Sequence, residues 1–249
     1  MRNPVLVFFG FLLEFTPYLI RGWNDSFIKK ISMKKTGLFI TFEGIEGCGK
    51  TTQMNLLADY LKKEDVSVLK TREPGGTKIG ERIREILLNP DNKKMSKETE
   101  MLLYGASRTQ HIEEIIRPAL KSGKIVLCDR YADSTLAYQG FGRNMGVSFI
   151  KKGCPLSLGT IQPELTILLD LDVKTGLERI KNRILGNDRI EREKIAFHNK
   201  VRKGYLKLAK TSRGRIKIVK ADKEIDEIQK EIKNIVIRKL CGKKIDYGI

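Results

Sequence analysis

The stretch Gly37–Gln53, GLFITFEGIEGCGKTTQ, constrains the fold of this chain more than any other. The apolar run Leu38-Phe39-Ile40 reads as a buried strand, and a glycine-rich turn follows that ends in Lys50-Thr51-Thr52. Gly44, Gly49, Lys50 and Thr51 fit the pattern G-x-x-x-x-G-K-[ST]. Glycines let the backbone curl until several N–H groups point at one anion. A helix opening near Lys50, with Met54, Leu57 and Leu61 at helical spacing, adds unpaired N–H groups and the positive end of its dipole. A lysine at this place reaches the β- and γ-phosphates, and the Thr51 hydroxyl can ligate Mg²⁺. Gly44, Ile45, Glu46, Gly47, Cys48, Gly49, Lys50, Thr51 and Thr52 are therefore the expected cradle for a nucleoside triphosphate, ATP in the simplest reading.

The rest of the chain alternates between strand and helix signals. A helix is predicted over about Lys50–Lys63 and a strand over Ser67–Thr71. The turn Arg72-Glu73-Pro74-Gly75-Gly76-Thr77 comes next, then Ile79, Ile83, Ile86 and Leu87 at helical spacing. A long helical segment is expected from about Lys97 to Leu120, and a strand over Lys124–Asp129. A helix should begin near Ser134, with Gly140 to Gly146 as loop. Leu165–Leu171 is a clear strand, with helices over about Val173–Arg183 and Glu191–Ala209. Arg215–Val219 is the last strand, before an amphipathic helix marked by Ile225, Ile228, Ile232, Ile235 and Val236. Alternation of this kind predicts an α/β fold, a parallel sheet with helices on both faces. Ligands bind such sheets at the carboxyl ends of the strands. That rule gathers Gly44–Thr51, Arg72-Glu73, Asp129-Arg130 and the loop after Asp172 on one edge.

A length of 249 residues suits one α/β domain with a short appendage. The net charge of +18 points to polyanionic partners, or to a lysine-rich solvated surface. Cys48, Cys128, Cys154 and Cys241 contain no C-x-x-C spacing, so neither a zinc site nor a redox pair is indicated. They read as reduced thiols of a cytoplasmic protein. Cys48, inside the phosphate loop, is a candidate redox switch. His111 and His198 stand apart from any ligand spacing and read as ordinary helix residues. Residues 1–35 differ from the rest. Val5–Leu13 is too short to span a bilayer and no A-x-A-like cleavage site follows it. The functional domain is expected over residues 36–249, beginning near Met33, with 1–35 an extension, or alternatively a membrane-peripheral or targeting segment, and no membrane role for the core.

Three features share the expected edge: Arg72, the pair Asp129-Arg130, and the cluster Arg179, Arg183, Arg189 and Arg192. Phosphoryl transfer needs two phosphate-bearing substrates held in line and charge neutralised across the migrating group. Arginine forks suit phosphate oxygens. Asp129, at a strand end, is placed to hold Mg²⁺ or its water.

These residues carry a resemblance. Phe42–Gln53 is similar to the phosphate loop of the thymidylate kinase family. Arg72-Glu73-Pro74-Gly75-Gly76-Thr77 resembles that family's REPGGT turn, and Leu102–Arg108 (LLYGASR) its monophosphate-site helix. Asp129-Arg130-Tyr131 with Ser134–Gly140 (STLAYQG) resembles its DRY/DRH segment, and Pro163-Glu164-Leu165-Thr166 also fits. The similarity runs from about Gly37 to Leu240 in one order.

The resemblance implies a P-loop NTPase three-layer sandwich with a lid over about 183–192. It implies ATP-dependent phosphorylation of dTMP to dTDP with Mg²⁺, no stable nucleic-acid partner, and a homodimer. Lys50 and the loop would hold ATP, with Thr51 and Asp129 toward the metal. Arg72 and Arg130 would grip the dTMP phosphate and the migrating group. Tyr104 would stack on thymine, Arg108 would bond a thymine carbonyl, and Ser134 and Thr135 would complete the base edge. Glu46 would accept from the 3′-hydroxyl, and Tyr138 would crowd the 2′ position. The loop lacks an arginine, so the resemblance is to the bacterial type with a catalytic lid arginine. Arg183 is the first choice, with Arg179 and Arg189 next. Competing readings are another nucleoside monophosphate kinase, a nucleic-acid-stimulated ATPase suggested by the charge, and an inactive regulator on a kinase fold.

Overall fold

In the computed structural model, residues 37–181 and 188–242 are described. The expected extension over 1–35 lies outside them, as do Arg183 and Leu185-Gly186-Asn187 of the expected lid. Among the described residues five strands form one sheet: β1 (Leu38–Glu43), β2 (Val68–Arg72), β3 (Ile125–Asp129), β4 (Leu165–Asp170) and β5 (Ile216–Lys220). Their order is β2-β3-β1-β4-β5, and every pairing is parallel. The expected α/β architecture is what the chain forms.

The helices are α1 (Lys50–Lys63), α2 (Lys78–Leu88), α3 (Lys97–His111), α4 (Arg117–Lys121), α5 (Ala132–Thr135), α6 (Val147–Gly153), α7 (Val173–Lys181), α8 (Ile195–Thr211) and α9 (Ile225–Gly242). A π-helical turn, Ile112–Ile116, joins α3 to α4, and another, Leu136–Gly142, continues α5. Where a loop was expected over Gly140–Gly146, π-helical winding thus runs on to Gly142. Two short elements carried no readable periodicity, α6 and the 3₁₀ turn Pro155–Leu158. Helix α8 starts at Ile195, four residues later than expected, because the Asp188 side chain accepts from Ile190 N and Glu191 N and holds a turn.

β1 is central and wholly buried, and its period-2 alternation divides the core. Leu38, Ile40 and Phe42 join a cluster with Leu57 and Leu61 of α1 and Ile232 and Val236 of α9. Phe39 joins a second cluster with Ile112, Ile116, Val126 and Tyr131. Each such side chain, fully buried, contributes about 1.5–3 kcal/mol. Local signals start the helices: Thr77 accepts from Gly80 N at 2.9 Å to cap α2, and Ser96 accepts from Thr99 N at 3.1 Å to cap α3. The register brings Phe42 and Arg72 opposite Asp129, so the ends of β1, β2 and β3 meet at one edge.

Candidate active site

The phosphate loop leaves β1 through left-handed glycines. At Gly47, φ is 71° and a Cβ would stand 2.1 Å from Gly176 O, so only glycine fits against α7. Gly49, with φ 90°, turns directly into α1. Lys50 folds back over the loop, its Nζ donating to Ile45 O at 2.8 Å and to Gly44 O at 3.3 Å. Those carbonyls hold the ammonium over the loop. The Cys48 thiol is 2 % exposed, with Sγ 3.6 Å from Lys50 Nζ. The expectation of a redox switch fails here, because a buried thiol is closed to oxidants.

A cleft of about 480 Å³ opens at the strand ends. Glu46, Gly47, Lys50 and Thr51 of the loop line it. Arg72 reaches it from β2, Tyr104 and Arg108 from α3, and Asp129 and Arg130 from the end of β3. Ser134, Thr135 and Tyr138 close the far side of the same segment. Gly44, Ile45, Cys48, Gly49 and Thr52 support the loop without facing this cleft. Of the arginine cluster, Arg179 approaches Gly47 O at 3.5 Å, and Arg189 is tied to Leu87 O and Glu100, at 2.8 and 2.6 Å. Arg183 lies outside the described residues.

Thr51 Oγ1 donates to Asp129 Oδ2 at 2.7 Å. A hydroxyl and a carboxylate in contact beside a phosphate loop are hard oxygen donors and fit Mg²⁺, which takes few protein ligands and completes its shell with water and substrate phosphate. Arg72 is half exposed and pairs with Glu81 at 3.0 Å. A pair this open is weak, so its guanidinium is easily drawn to a phosphate.

Arg130 is held in the left-handed region, with φ 68°. Its Nη1 donates to Gly44 O at 2.9 Å and its Nη2 to Glu46 Oε1 at 3.0 Å, while its plane lies 5.0 Å over the Tyr138 ring. The conformation is fixed from below by Glu43. This buried carboxylate accepts from Tyr131 N at 2.8 Å, from Ser134 Oγ at 2.6 Å and from Tyr205 OH at 2.7 Å. Burial, then the charge of Asp133, raise the Glu43 carboxyl to about 7, against the pull of Ser134, Arg130 and Tyr205. Glu46 moves the other way. Burial acts to raise it, but Arg130, His198, Lys50 and Tyr138 together hold its carboxyl far below the ordinary range.

Arg108 is 1 % exposed and wholly engaged on one side. Its Nε donates to Glu73 Oε2 at 2.7 Å and its Nη1 to Thr135 Oγ1 at 3.0 Å and to Ser157 O, and its guanidinium lies 5.2 Å over the Tyr131 ring. Nη2 has no hydrogen bond among the described residues, although the residue lines the cleft. The Ser134 hydroxyl is taken by Glu43 and Tyr205, whereas Thr135 accepts from Arg108 and keeps its own proton to donate. Tyr104 is partly buried at the cleft wall, and burial pushes its phenol well above the ordinary range, so it is neutral.

Several residues of the site were not recognised in the sequence. Glu73 anchors Arg108, and its other oxygen meets His111 Nδ1 at 3.0 Å, with His111 Nε2 2.6 Å from Thr71 Oγ1. His198 stands 3.2 Å from Glu46, and Glu43 and Tyr205 brace the Arg130 turn. Glu73 is expected on this edge beside Arg72, but nothing in the sequence announces its tie to Arg108. Nothing in spacing marks His111 or His198, because their partners arrive only through the fold.

Comparison with known proteins agrees with this arrangement. The profile of the family described as "Thymidylate kinase" matches residues 42–232. The chain is 49 % identical over 212 residues to a thymidylate kinase of Geotalea daltonii, covering 83 % of this chain and 99 % of that protein. It is 52 % identical over 195 residues to one of Syntrophotalea carbinolica, covering 76 % and 90 %. The crystal structure of thymidylate kinase from Ehrlichia chaffeensis superposes with a TM-score of 0.64 at 33 % identity, covering 81 % of this chain and 99 % of that one. With phosphate loop, paired strand-end arginines and buried Arg108 in one cleft, and with relatives matched over nearly their whole length, the chain belongs to the thymidylate kinase family.

Proposed function

We propose that this protein transfers the γ-phosphoryl group of ATP to dTMP, giving ADP and dTDP. The observation that carries the reading is the buried Arg108–Thr135 pair facing the same cleft as Lys50, Arg72 and Arg130. A phosphate loop alone serves any triphosphate, and a fixed donor set beside it selects a base.

The loop amides of Gly44–Thr52 and Lys50 hold the ATP phosphates, and the contacts of Lys50 to Gly44 O and Ile45 O are exchanged for phosphate oxygens. Thr51 and Asp129 would hold Mg²⁺, which would supply charge neutralisation for the phosphates. Arg72 and Arg130 take the acceptor phosphate and keep it in line with the γ-phosphorus. Tyr104 stacks on thymine. Arg108 Nη2 donates to a thymine carbonyl, and Thr135, flanked by Ser134, bounds the base edge. Glu46 accepts from the 3′-hydroxyl, and Tyr138, bonded to Glu46 at 2.6 Å, fills the space a 2′-hydroxyl would need. Arg183, within a lid over about 183–192, supplies the charge that the loop lacks, and lid closure keeps water from the γ-phosphate.

The working unit is residues 36–249 as a homodimer in the cytoplasm. Free thiols at all four cysteines suit that compartment.

Ligand-induced stabilisation of the full chain tests the base assignment without turnover. At about a hundred times its Kd, dTMP adds about 2.7 kcal/mol, roughly 5–10 °C in Tm. An equal or larger shift with UMP, AMP or GMP at the same concentration contradicts it.

A further inference from the structure

His198, in the first turn of α8, points at the phosphate loop from behind. It is 1 % exposed, and its ring meets Phe197 edge-on at 5.5 Å. Its Nδ1 is 3.2 Å from Glu46 Oε2, a distance within reach of a hydrogen bond but out of line for one. Glu46 Oε2 and both ring nitrogens are buried and make no aligned hydrogen bond among the described residues. Buried polar atoms are rarely left so, and three side by side mark a place where a small movement completes the bonding.

The two oxygens of Glu46 have different surroundings. Oε1 receives Nη2 of Arg130 at 3.0 Å and the Tyr138 hydroxyl at 2.6 Å. Oε2 has only His198. Arg130 is also the guanidinium assigned to the acceptor phosphate. Once it turns to that phosphate, Glu46 loses its strongest tether, and a carboxylate held by Tyr138 alone is free to rotate.

We infer that His198 is a positioning residue for Glu46: a small rotation of its ring brings a nitrogen into line with Oε2, so that Oε1 stays aimed at the acceptor's 3′-hydroxyl after Arg130 leaves. The inference rests on the assignment of Glu46 to the 3′-hydroxyl. It makes His198 a determinant of sugar recognition, reached through the loop and not through contact with the substrate.

The test uses the substrate as one arm of a double-mutant cycle. kcat/KM is measured for dTMP and for its 3′-deoxy analogue with the full-length wild type, His198→Leu, His198→Asn, His198→Gln and Glu46→Gln. Asparagine keeps a donor near the Nδ1 position, and glutamine moves it away. In wild type, dTMP is preferred. His198→Leu lowers that preference about tenfold, through the KM of dTMP, as loss of a charge-assisted hydrogen bond predicts. The analogue changes less than twofold, and His198→Asn keeps most of the preference while His198→Gln does not. If His198→Leu does not fold, the Asn and Gln pair carries the comparison. Equal losses for both substrates, or equal behaviour of Asn and Gln, overturn the inference and leave His198 a packing residue. Glu46→Gln separates the two claims. A collapsed preference there with an intact one in the His198 variants overturns His198 alone, and an intact preference in Glu46→Gln overturns the assignment of Glu46 and the inference with it.

Discussion

Replacing Glu73 by alanine tests the internal logic of the base pocket. The Glu73 and Arg108 side chains are 3 % and 1 % exposed, and Glu73 is the anionic partner of both Arg108 and His111. Without it, Arg108 retains two neutral acceptors, the Thr135 hydroxyl and the Ser157 carbonyl, and a buried cation stands unpaired. Solvent screening is negligible at this depth, so the cost is that of breaking a buried pair, about 3–5 kcal/mol. For a domain of this size that lowers Tm by roughly 6–20 °C. Urea unfolding gives the free energy directly, as a shift in midpoint at constant slope. Removing both charges, in Glu73→Leu with Arg108→Met, costs less than Glu73→Ala alone, because no charge is left buried. In kinetics, Glu73→Ala raises the KM for dTMP and leaves that for ATP nearly unchanged. A loss under about 1 kcal/mol for the single variant, or a double variant no better than the single, refutes the reasoning.

Three further predictions follow from the same structure. The Glu43 carboxyl is raised from 4.5 to about 7 in the fold, so the folded state holds that proton longer than the unfolded chain. The stability this contributes is fully present below the unfolded value and is lost as pH rises through about 7, up to about 3 kcal/mol relative to Glu43→Gln, read from urea midpoints between pH 4.5 and 8; parallel pH profiles for the two proteins contradict it. Arg183→Ala lowers kcat by roughly 10²–10⁴, the contribution of an arginine finger, and an unchanged kcat moves the role to Arg179 or Arg189. Tyr138→Phe removes the 2.6 Å bond to Glu46 but keeps the ring, so it lowers kcat/KM for dTMP while the ratio of kcat/KM for dTMP over the ribonucleotide is kept; a ratio that falls toward one places the exclusion in the hydroxyl.

The sheet was legible because its strands are apolar runs with turns at their ends. β2, β3, β4 and β5 appear in the sequence within a residue of their observed limits, β1 runs three residues beyond the apolar run that ends at Ile40, and register then sets Arg72 and Asp129 side by side. α6 was not legible, since seven residues give too little periodicity to read. The π-helical stretch Leu136–Gly142 is masked in the sequence by glycines at 140 and 142, which resemble a loop. Of the site, the groups proposed to meet phosphate and base stand inside recognisable motifs. The groups that hold them in place do not. Glu43 and Glu100 stand at no position that spacing singles out, and His111 and His198 read as ordinary helix residues. In the fold Glu100 is fully buried among Gln139, Arg143 and Arg189, at 2.8, 3.0 and 2.6 Å. Ties of this kind join distant segments, and no spacing rule announces them.

The central claim is that one cleft brings ATP to a thymine mononucleotide. A coupled ADP-release assay on the full-length protein, with Mg²⁺ and a panel of dTMP, UMP, AMP and GMP, tests it most directly. Turnover is expected to depend on dTMP and to fall by at least tenfold in kcat/KM with each of the others. Absence of dTMP-dependent ADP release, or faster release with another monophosphate, would contradict it.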